Sequence, residues 1–170
     1  MIILLFFFCK LAEKNKFALS LEQNNKNFYS STIMEGKNVH GYLKQLAEEM
    51  NGNYTEYSDD TIILTIPLED GRFQSVRGLI QEKQEAGMFL ILSSTICRLH
   101  EYPDVDFRKM LEHNYDLGYS KITITDEDYL ELAVYMKYDL VTAEELRYMV
   151  REIAVTADKL ELEITGKDHH

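Results

Sequence analysis

The stretch LGYSKITITDEDYLELAVYMKYDL, residues 117–140, decides the fold. Apolar and polar residues alternate in both of its halves, which is the period of a β-strand with one face on a core. The apolar positions are Ile122, Ile124, Leu130, Leu132, Val134 and Met136. The acidic triplet Asp126, Glu127 and Asp128 joins the two halves with side chains that favour turns. The stretch therefore predicts an antiparallel β-hairpin.

The acidic triplet could also be a metal or catalytic centre. A calcium loop of the EF-hand kind needs acids at alternating positions, a central glycine and a glutamate at the twelfth position. Here the acids are contiguous, so that neighbouring side chains point apart, and no glycine follows them. We therefore interpret the triplet as the hairpin turn and expect no metal site there.

A helix and four strands are predicted before the hairpin. The apolar spacing indicates a helix over residues 39–50, with Asn38 as its cap and Asn51–Gly52 as its end. The runs NYTEYS, TIILTIP, RFQSVRGLIQ and MFLILSSTICRL are typical of strands. The last one contains an unbroken apolar run, Met88–Leu92, which predicts a central strand covered on both faces.

Two more helices flank the hairpin. The first is predicted from about Asp104 to Leu117, with Asp104 or Asp106 as its cap. Its core-facing residues are expected to be Phe107, Met110 and Leu111. The second opens with a capping box formed by Thr142 and Glu145. The predicted order, α-β-β-β-β-α-β-β-α, indicates an α+β fold in which three helices lie against an antiparallel sheet.

Composition and charge narrow the class of protein and its partners. The chain has 170 residues, of which 45% are hydrophobic and 28% charged, as in a soluble globular protein of one domain. Its formal net charge of −11 repels the phosphates of nucleic acids and anionic lipid surfaces, so we expect neither partner. The two cysteines, Cys9 and Cys97, have no disulfide-framework or zinc spacing and suit the cytoplasm, although a pairing between them stays open.

The first 33 residues differ in composition from the rest of the chain. They open with MIILLFFFC, which is too short to span a bilayer, and carry four Lys against two Glu. Three interpretations stay open: an export signal in residues 1–20, an upstream leader with Met34 as the natural start, or an extra packed strand or helix. We treat 1–33 as an N-terminal extension and 34–166 as a single domain. His169 and His170 are either native or the remnant of a purification tag.

No sequence motif marks a catalytic, cofactor or metal site. The five histidines lack the spacing of a zinc-binding helix, and the chain contains no G-x-S-x-G, P-loop or G-x-G-x-x-G motif. Cys97 lies in an apolar run, where a thiol is usually inert. We therefore expect no enzymatic activity, no cofactor and no metal. A small enzyme with an unmarked active site is the alternative.

Aromatic residues on the polar side of the hairpin indicate a surface that binds a protein or peptide segment. The predicted partner-binding residues are Tyr119, Tyr129, Ala133 and Tyr135. The last three share the outer face of the second strand with Glu131 and Lys137. Aromatics on an otherwise polar sheet face are typical of interfaces, although scattered surface tyrosines are also ordinary.

Several patterns between Met34 and Ile164 carry a resemblance to a known family. They are MFLILSSTICRL, DFRKMLEHNYDLG, YSKITIT, the acidic DED, YLELAVYMKYDL and TAEELRYMV. In their order and local pattern they resemble the YbjN-like family, which shares its fold with type III secretion chaperones of the CesT (Tir chaperone) kind. Tyr129 departs from the pattern, since relatives commonly have Gly there, and residues 1–33 have no counterpart.

The resemblance implies a small, acidic, cytoplasmic homodimer that holds protein segments or regulates a partner and has no enzymatic activity. A sheet with an apolar run covered on both faces also needs more cover than three helices on one side provide. We therefore expect a twofold dimer, formed through the second helix or the part of the sheet beside it.

Overall fold

The computed structural model describes residues 39–166, apart from the side chain of Asp70. Three α-helices and six strands lie in this range, and they follow the predicted order. Their bounds are α1 Val39–Glu49, β1 Asn53–Glu56, β2 Thr61–Pro67, β3 Phe73–Lys83, β4 Gly87–Arg98, α2 Phe107–Asp116, β5 Lys121–Ile124, β6 Tyr129–Lys137 and α3 Ala143–Thr165. The predicted α+β fold is confirmed.

Several expectations lie outside the described residues. These are the cap at Asn38, the status of the extension 1–33 and of Met34, the pairing of Cys9, and the origin of His169 and His170. Among residues 39–166, none of the helices is long and apolar enough to cross a membrane.

The six strands form one antiparallel sheet in the order β1-β2-β3-β4-β6-β5. The predicted hairpin is β5–β6, in which Ile122 pairs with Leu132. The predicted central strand is β4, because it pairs with both β3 and β6. Leu90, Ile91 and Leu92 are all buried, whereas Met88 is 42% exposed at the start of the strand.

One face of the sheet carries the core. All three helices contribute side chains to a single cluster with the even-numbered residues of β2 and β6, among them Leu64, Leu130 and Leu132. The helix α3 begins with the predicted capping box, in which the Thr142 side chain accepts from the Glu145 N–H. In α1 the chain leaves the helix at Asn51 with a φ of 56°, the predicted left-handed turn.

We call the other side of the sheet the open face. It carries Arg77 of β3, Ser93 and Thr95 of β4, and Glu131 and Tyr135 of β6. These residues alternate along their strands with core-facing residues, and cross-strand partners lie on the same face of a sheet. The buried apolar side chains of the described helices all join the core cluster on the opposite side.

The prediction of which α2 residues face the core is partly wrong. Met110 is buried, but Phe107 is 45% and Leu111 is 69% exposed. This short helix lies beside β5 at the sheet edge, where a narrow strip of the helix reaches the core. Phe107, Leu111 and Tyr115, spaced four residues apart, instead form an outward line that we call the α2 stripe. Of the two candidate caps, Asp106 is confirmed, since its side chain accepts from the Lys109 N–H.

The free edge of β5 is covered by a side chain of α2. Asn114 Oδ1 accepts from the backbone N–H of Ile122 at 2.6 Å, and Asn114 Nδ2 donates to the C=O of the same residue at 3.4 Å. Lys121 Nζ donates to the carbonyls of Asn114 and Leu117 at the end of α2. The edge strand and the helix are thereby joined by polar contacts.

Candidate functional site

A groove of about 490 Å³ lies on the open face beside the turn between β5 and β6. Its charged lining residues are Arg77, Asp126, Glu127 and Glu131, which makes three carboxylates against one guanidinium. Much of the remaining lining carries hydroxyl groups, from Ser75, Ser93, Thr95, Thr125 and Tyr129. The charge of the groove lining is therefore negative in balance.

Strand register brings these residues together from distant parts of the chain. Arg77 pairs with Ser93 across β3 and β4, and Thr95 pairs with Glu131 across β4 and β6. Arg77 Nη2 donates to Ser93 Oγ at 3.3 Å. The floor of the groove is thus built on the three central strands, which gives its side chains a rigid support.

Glu131 is a buried carboxylate in this groove. It is 7% exposed, and burial raises its pKa above the ordinary value, although the Arg77 guanidinium and the hydroxyls of Ser93 and Thr123 act in the opposite direction. Arg77 Nη2 lies 4.0 Å from Glu131 Oε2, which is longer than a hydrogen bond. The Thr123 hydroxyl is near enough to affect this pKa but has no partner at hydrogen-bond geometry among the described residues. The ionised form of Glu131 is therefore incompletely compensated.

Two tyrosines on the open face lie beside cations. The Lys83 ammonium is 4.7 Å from the centroid of the Tyr135 ring, and the Arg98 guanidinium is 5.2 Å from that of Tyr129. In such cation–π contacts, the electron-rich face of the aromatic ring attracts the cation. Each of these two rings is thus paired with one cation.

A β-bulge places Arg98 beside Tyr129. The register of β4 against β6 shifts between Thr95 and Cys97, so that Ile96 and Cys97 both lie in the core. Arg98 then stands opposite Tyr129. Bulges commonly re-aim side chains in this way near functional sites.

The four predicted partner-binding residues differ in their environments. Tyr129, Ala133 and Tyr135 belong to the open-face set of β6, as the alternation predicts, but Tyr135 is 52% exposed whereas Ala133 is 2% exposed. Ala133 therefore contributes a small side chain to the floor and little accessible surface. Tyr119 lies outside the strands, in the connection from α2 to β5, and is 39% exposed.

The connection around Tyr119 is anchored to α3 by Glu152. One carboxylate oxygen accepts from the N–H of Gly118 at 2.7 Å, and the other accepts from the N–H groups of Tyr119 and Ser120 and from the Ser120 hydroxyl. Burial alone would raise the pKa of Glu152, but these hydrogen bonds together hold it below its ordinary value. Glu152 is thus a structural anchor, held as a carboxylate at neutral pH.

The acidic triplet forms the predicted hairpin turn. The Thr125 N–H donates to the Tyr129 C=O at 2.9 Å, and Asp128 has a φ of 67°, in the left-handed region that Asp tolerates. Asp128 Oδ2 also accepts from the His100 N–H at 3.1 Å. Asp126 and Glu127 instead line the groove. Within residues 39–166, no group of three or more His, Cys, Asp or Glu is placed to hold a metal ion.

The Cys97 thiol is buried, and its environment disfavours the reactive thiolate form. Burial, with Glu161 and Glu101 nearby, raises its pKa to about 11, so that it stays protonated at neutral pH. This environment is that of an inert structural cysteine.

Sequence reasoning missed Arg77 in the groove lining, and it missed Lys83 and Arg98, which lie beside Tyr135 and Tyr129 without lining the groove. All three come from strands other than β6, and their positions depend on cross-strand register and on the bulge. Glu131 was noted as a neighbour of the tyrosines, but its burial was not expected. The alternation of polar and apolar residues in β3 could have predicted that Arg77 lies on the open face. Its partner on β4 could be predicted only from the register between the two strands.

Comparisons with known proteins add no family to this description. No family model matches the chain, and no curated protein matches it either.

Proposed function

We propose that this protein is a non-catalytic binding module, chaperone-like or regulatory, that holds a segment of a partner protein on its open face. The observation that carries the proposal is the buried carboxylate of Glu131 in an acidic groove that Tyr129 also lines. Natural proteins keep destabilising buried charges mainly where function needs them. The resemblance to the YbjN-like family points to the same class of function.

Charge decides which segment fits. The groove lining has an excess of carboxylates, and the Arg77 guanidinium is too far away to hydrogen-bond with Glu131. A Lys or Arg side chain of the partner would add the missing positive charge next to Glu131. The hydroxyls on the floor can exchange hydrogen bonds with the backbone of an extended segment, and the exposed ring of Tyr135 adds contact area. The expected ligand is an extended segment with a basic residue at its centre.

The second part of the proposal is a homodimer formed through the α2 stripe. Phe107, Leu111 and Tyr115 are 45%, 69% and 92% exposed, an amount unusual for apolar residues aligned on one helix. Together they offer a few hundred Å², less than the roughly 800 Å² per partner of a stable interface. Ile124 of β5, the strand that packs beside α2, is also 55% exposed. A second copy of the chain is the occupant that the resemblance implies.

Binding can be tested with a matched pair of labelled peptides. Both are short segments of alternating Thr, Ser and Val; one has a central Arg and the other has citrulline, which is similar in shape but uncharged. We expect fluorescence anisotropy to show binding of the Arg peptide about tenfold tighter, the effect of one charge-assisted contact. Because protonation of Glu131 competes with the cation, the preference should weaken as the pH falls toward the ordinary glutamate pKa of about 4.3.

The matched control variant is Glu82→Gln, which removes one exposed carboxylate at the far end of β3. The Glu131→Gln variant should bind both peptides equally, and Glu82→Gln should keep the preference for Arg. Equal binding of both peptides by the unmodified protein, or loss of the preference in Glu82→Gln, would contradict the proposal.

A further inference from the structure

A second groove, of about 890 Å³, lies on the helical side of the molecule. It is formed by the end of α1, the connection from β2 to β3 and the outer side of α3, and we call it the α1–α3 groove. Its apolar lining consists of Met50, Ile66, Pro67, Leu68, Tyr148, Ala154 and Val155. It is independent of the open face, whose groove is lined by other residues.

The charges around the α1–α3 groove are positive in balance, in contrast to the whole chain. Its cations are Arg72, Arg147, Arg151 and Lys159, against the carboxylates Glu49, Glu69 and Asp158. The chain as a whole has 18 basic and 29 acidic residues, so four cations in one groove are a marked local concentration.

Two of these cations are already paired within the protein. Arg72 Nη2 lies 3.1 Å from Oδ2 of the buried Asp158, and Arg147 is paired with Glu49. These pairs connect the helix α3 to the β2–β3 connection and to α1. They join the walls of the groove, and they pair two of its three carboxylates with cations of the protein itself.

The other two cations, Arg151 and Lys159, form no ion pair with a described residue. Both are exposed and lie on the same side of α3, eight residues or about 12 Å apart. The half-buried Val155 lies between them, and Tyr148, 63% exposed, lies one turn before Arg151. The exposed line therefore alternates apolar and cationic side chains along the helix.

From this arrangement we infer that the α1–α3 groove binds an acidic segment of a protein partner. Two carboxylates about 12 Å apart, which is seven or eight residues on a helix, would face Arg151 and Lys159. Apolar side chains between the carboxylates would cover Val155 and Tyr148. Charge complementarity excludes a basic segment from this groove, so it selects a different ligand from that of the open face.

The test uses two synthetic helical peptides and the full chain. Both peptides contain leucines between two variable positions spaced seven residues apart; one carries Glu at these positions and the other Gln. Fluorescence anisotropy at low salt should show the Glu peptide binding about tenfold more tightly, the combined effect of two exposed ion pairs. The double variant Arg151→Glu, Lys159→Glu should lose this difference.

A control variant with the same change of net charge is Lys44→Glu, Arg108→Glu, since both residues are exposed on other helices and neither lines the groove. It should keep the preference for the Glu peptide. An equal loss in the control would attribute the binding to net charge and overturn the inference. Full competition by millimolar inorganic phosphate would also overturn it, because the groove would then be an anion site that does not require a peptide.

Discussion

The burial of Glu131 is unfavourable for stability when its side chain is ionised. Its carboxylate is 7% exposed, its pKa is raised mainly by burial, and its nearest guanidinium belongs to the half-exposed Arg77. A raised folded pKa means that the folded state binds a proton more tightly than the unfolded state. The ionised side chain therefore reduces the free energy of unfolding at neutral pH.

Replacing Glu131 by Gln is expected to stabilise the protein by about 1 kcal/mol at pH 7, because Gln fills the same space without a charge. The reduction in wild-type stability is complete above the raised pKa and is relieved as the pH falls through that value to the ordinary glutamate pKa of about 4.3. Urea unfolding at pH 7 and at pH 4 measures the difference, which should shrink at the lower pH. A large destabilisation at pH 7 would show that Glu131 is a structural residue.

For a single residue, sequence patterns predict the sheet face on which its side chain lies better than they predict which side chains it contacts. The period of two placed Tyr129 and Tyr135 on the same side of β6, and turn chemistry identified the acidic bend at Asp126–Asp128. The approach of Arg98 to Tyr129 depends on one extra residue in β4, which no local pattern shows. The pairing of Arg77 with Ser93 depends on register between strands that are connected by their own turn.

Among the elements, α2 differs most from its expected packing. It has the apolar spacing of a helix that covers a core, yet Met110 is its one fully buried residue and the α2 stripe points outward. Apolar spacing shows which residues share a helix face, but the position of the helix at the edge of the sheet decides what that face meets. The exposure of the α2 stripe is therefore the reason for placing the proposed homodimer contact there.

The variant Leu111→Glu is expected to shift a homodimer to monomer, because it places a charge in the centre of the α2 stripe. Light scattering over a dilution series into the micromolar range measures the mass. The control is Tyr57→Glu, in which a residue 79% exposed in the turn between β1 and β2 acquires the same charge. A monomeric mass for the unmodified protein at high concentration would refute the dimer, and equal dissociation in both variants would argue against this interface.

For the whole molecule, residues 39–166 supply a sheet, its three helices and a continuous hydrophobic core. Buried apolar area is the main source of folding free energy. The element order could be predicted from sequence because β5 and β6 alternate clearly, β4 contains an unbroken apolar run, and two helices carry recognisable caps. The strand order, with β6 inserted between β4 and β5, could not, because it depends on pairing between segments distant in the chain.

A fragment of residues 34–170 is expected to unfold in one cooperative thermal transition, since it contains every element of the described core. Circular dichroism during heating, with near-ultraviolet signal as a second probe, measures this. Coincident transitions are the expected result. An insoluble fragment, or one with secondary structure but no tertiary signal, would assign a part of the folding free energy to residues 1–33.

The hydrogen bonds of Asn114 with the backbone of Ile122 have a consequence for solubility. An uncovered edge strand can recruit strands from other molecules and so start fibrillar aggregates. The amide of Asn114 has the same donor and acceptor pair as a peptide group, and it occupies the position that an incoming backbone would take. Asn114→Leu should therefore form thioflavin-positive fibrils after a shorter lag than the unmodified protein, even where its melting temperature changes little, and an unchanged lag would mean that the rest of α2 is enough to block the edge.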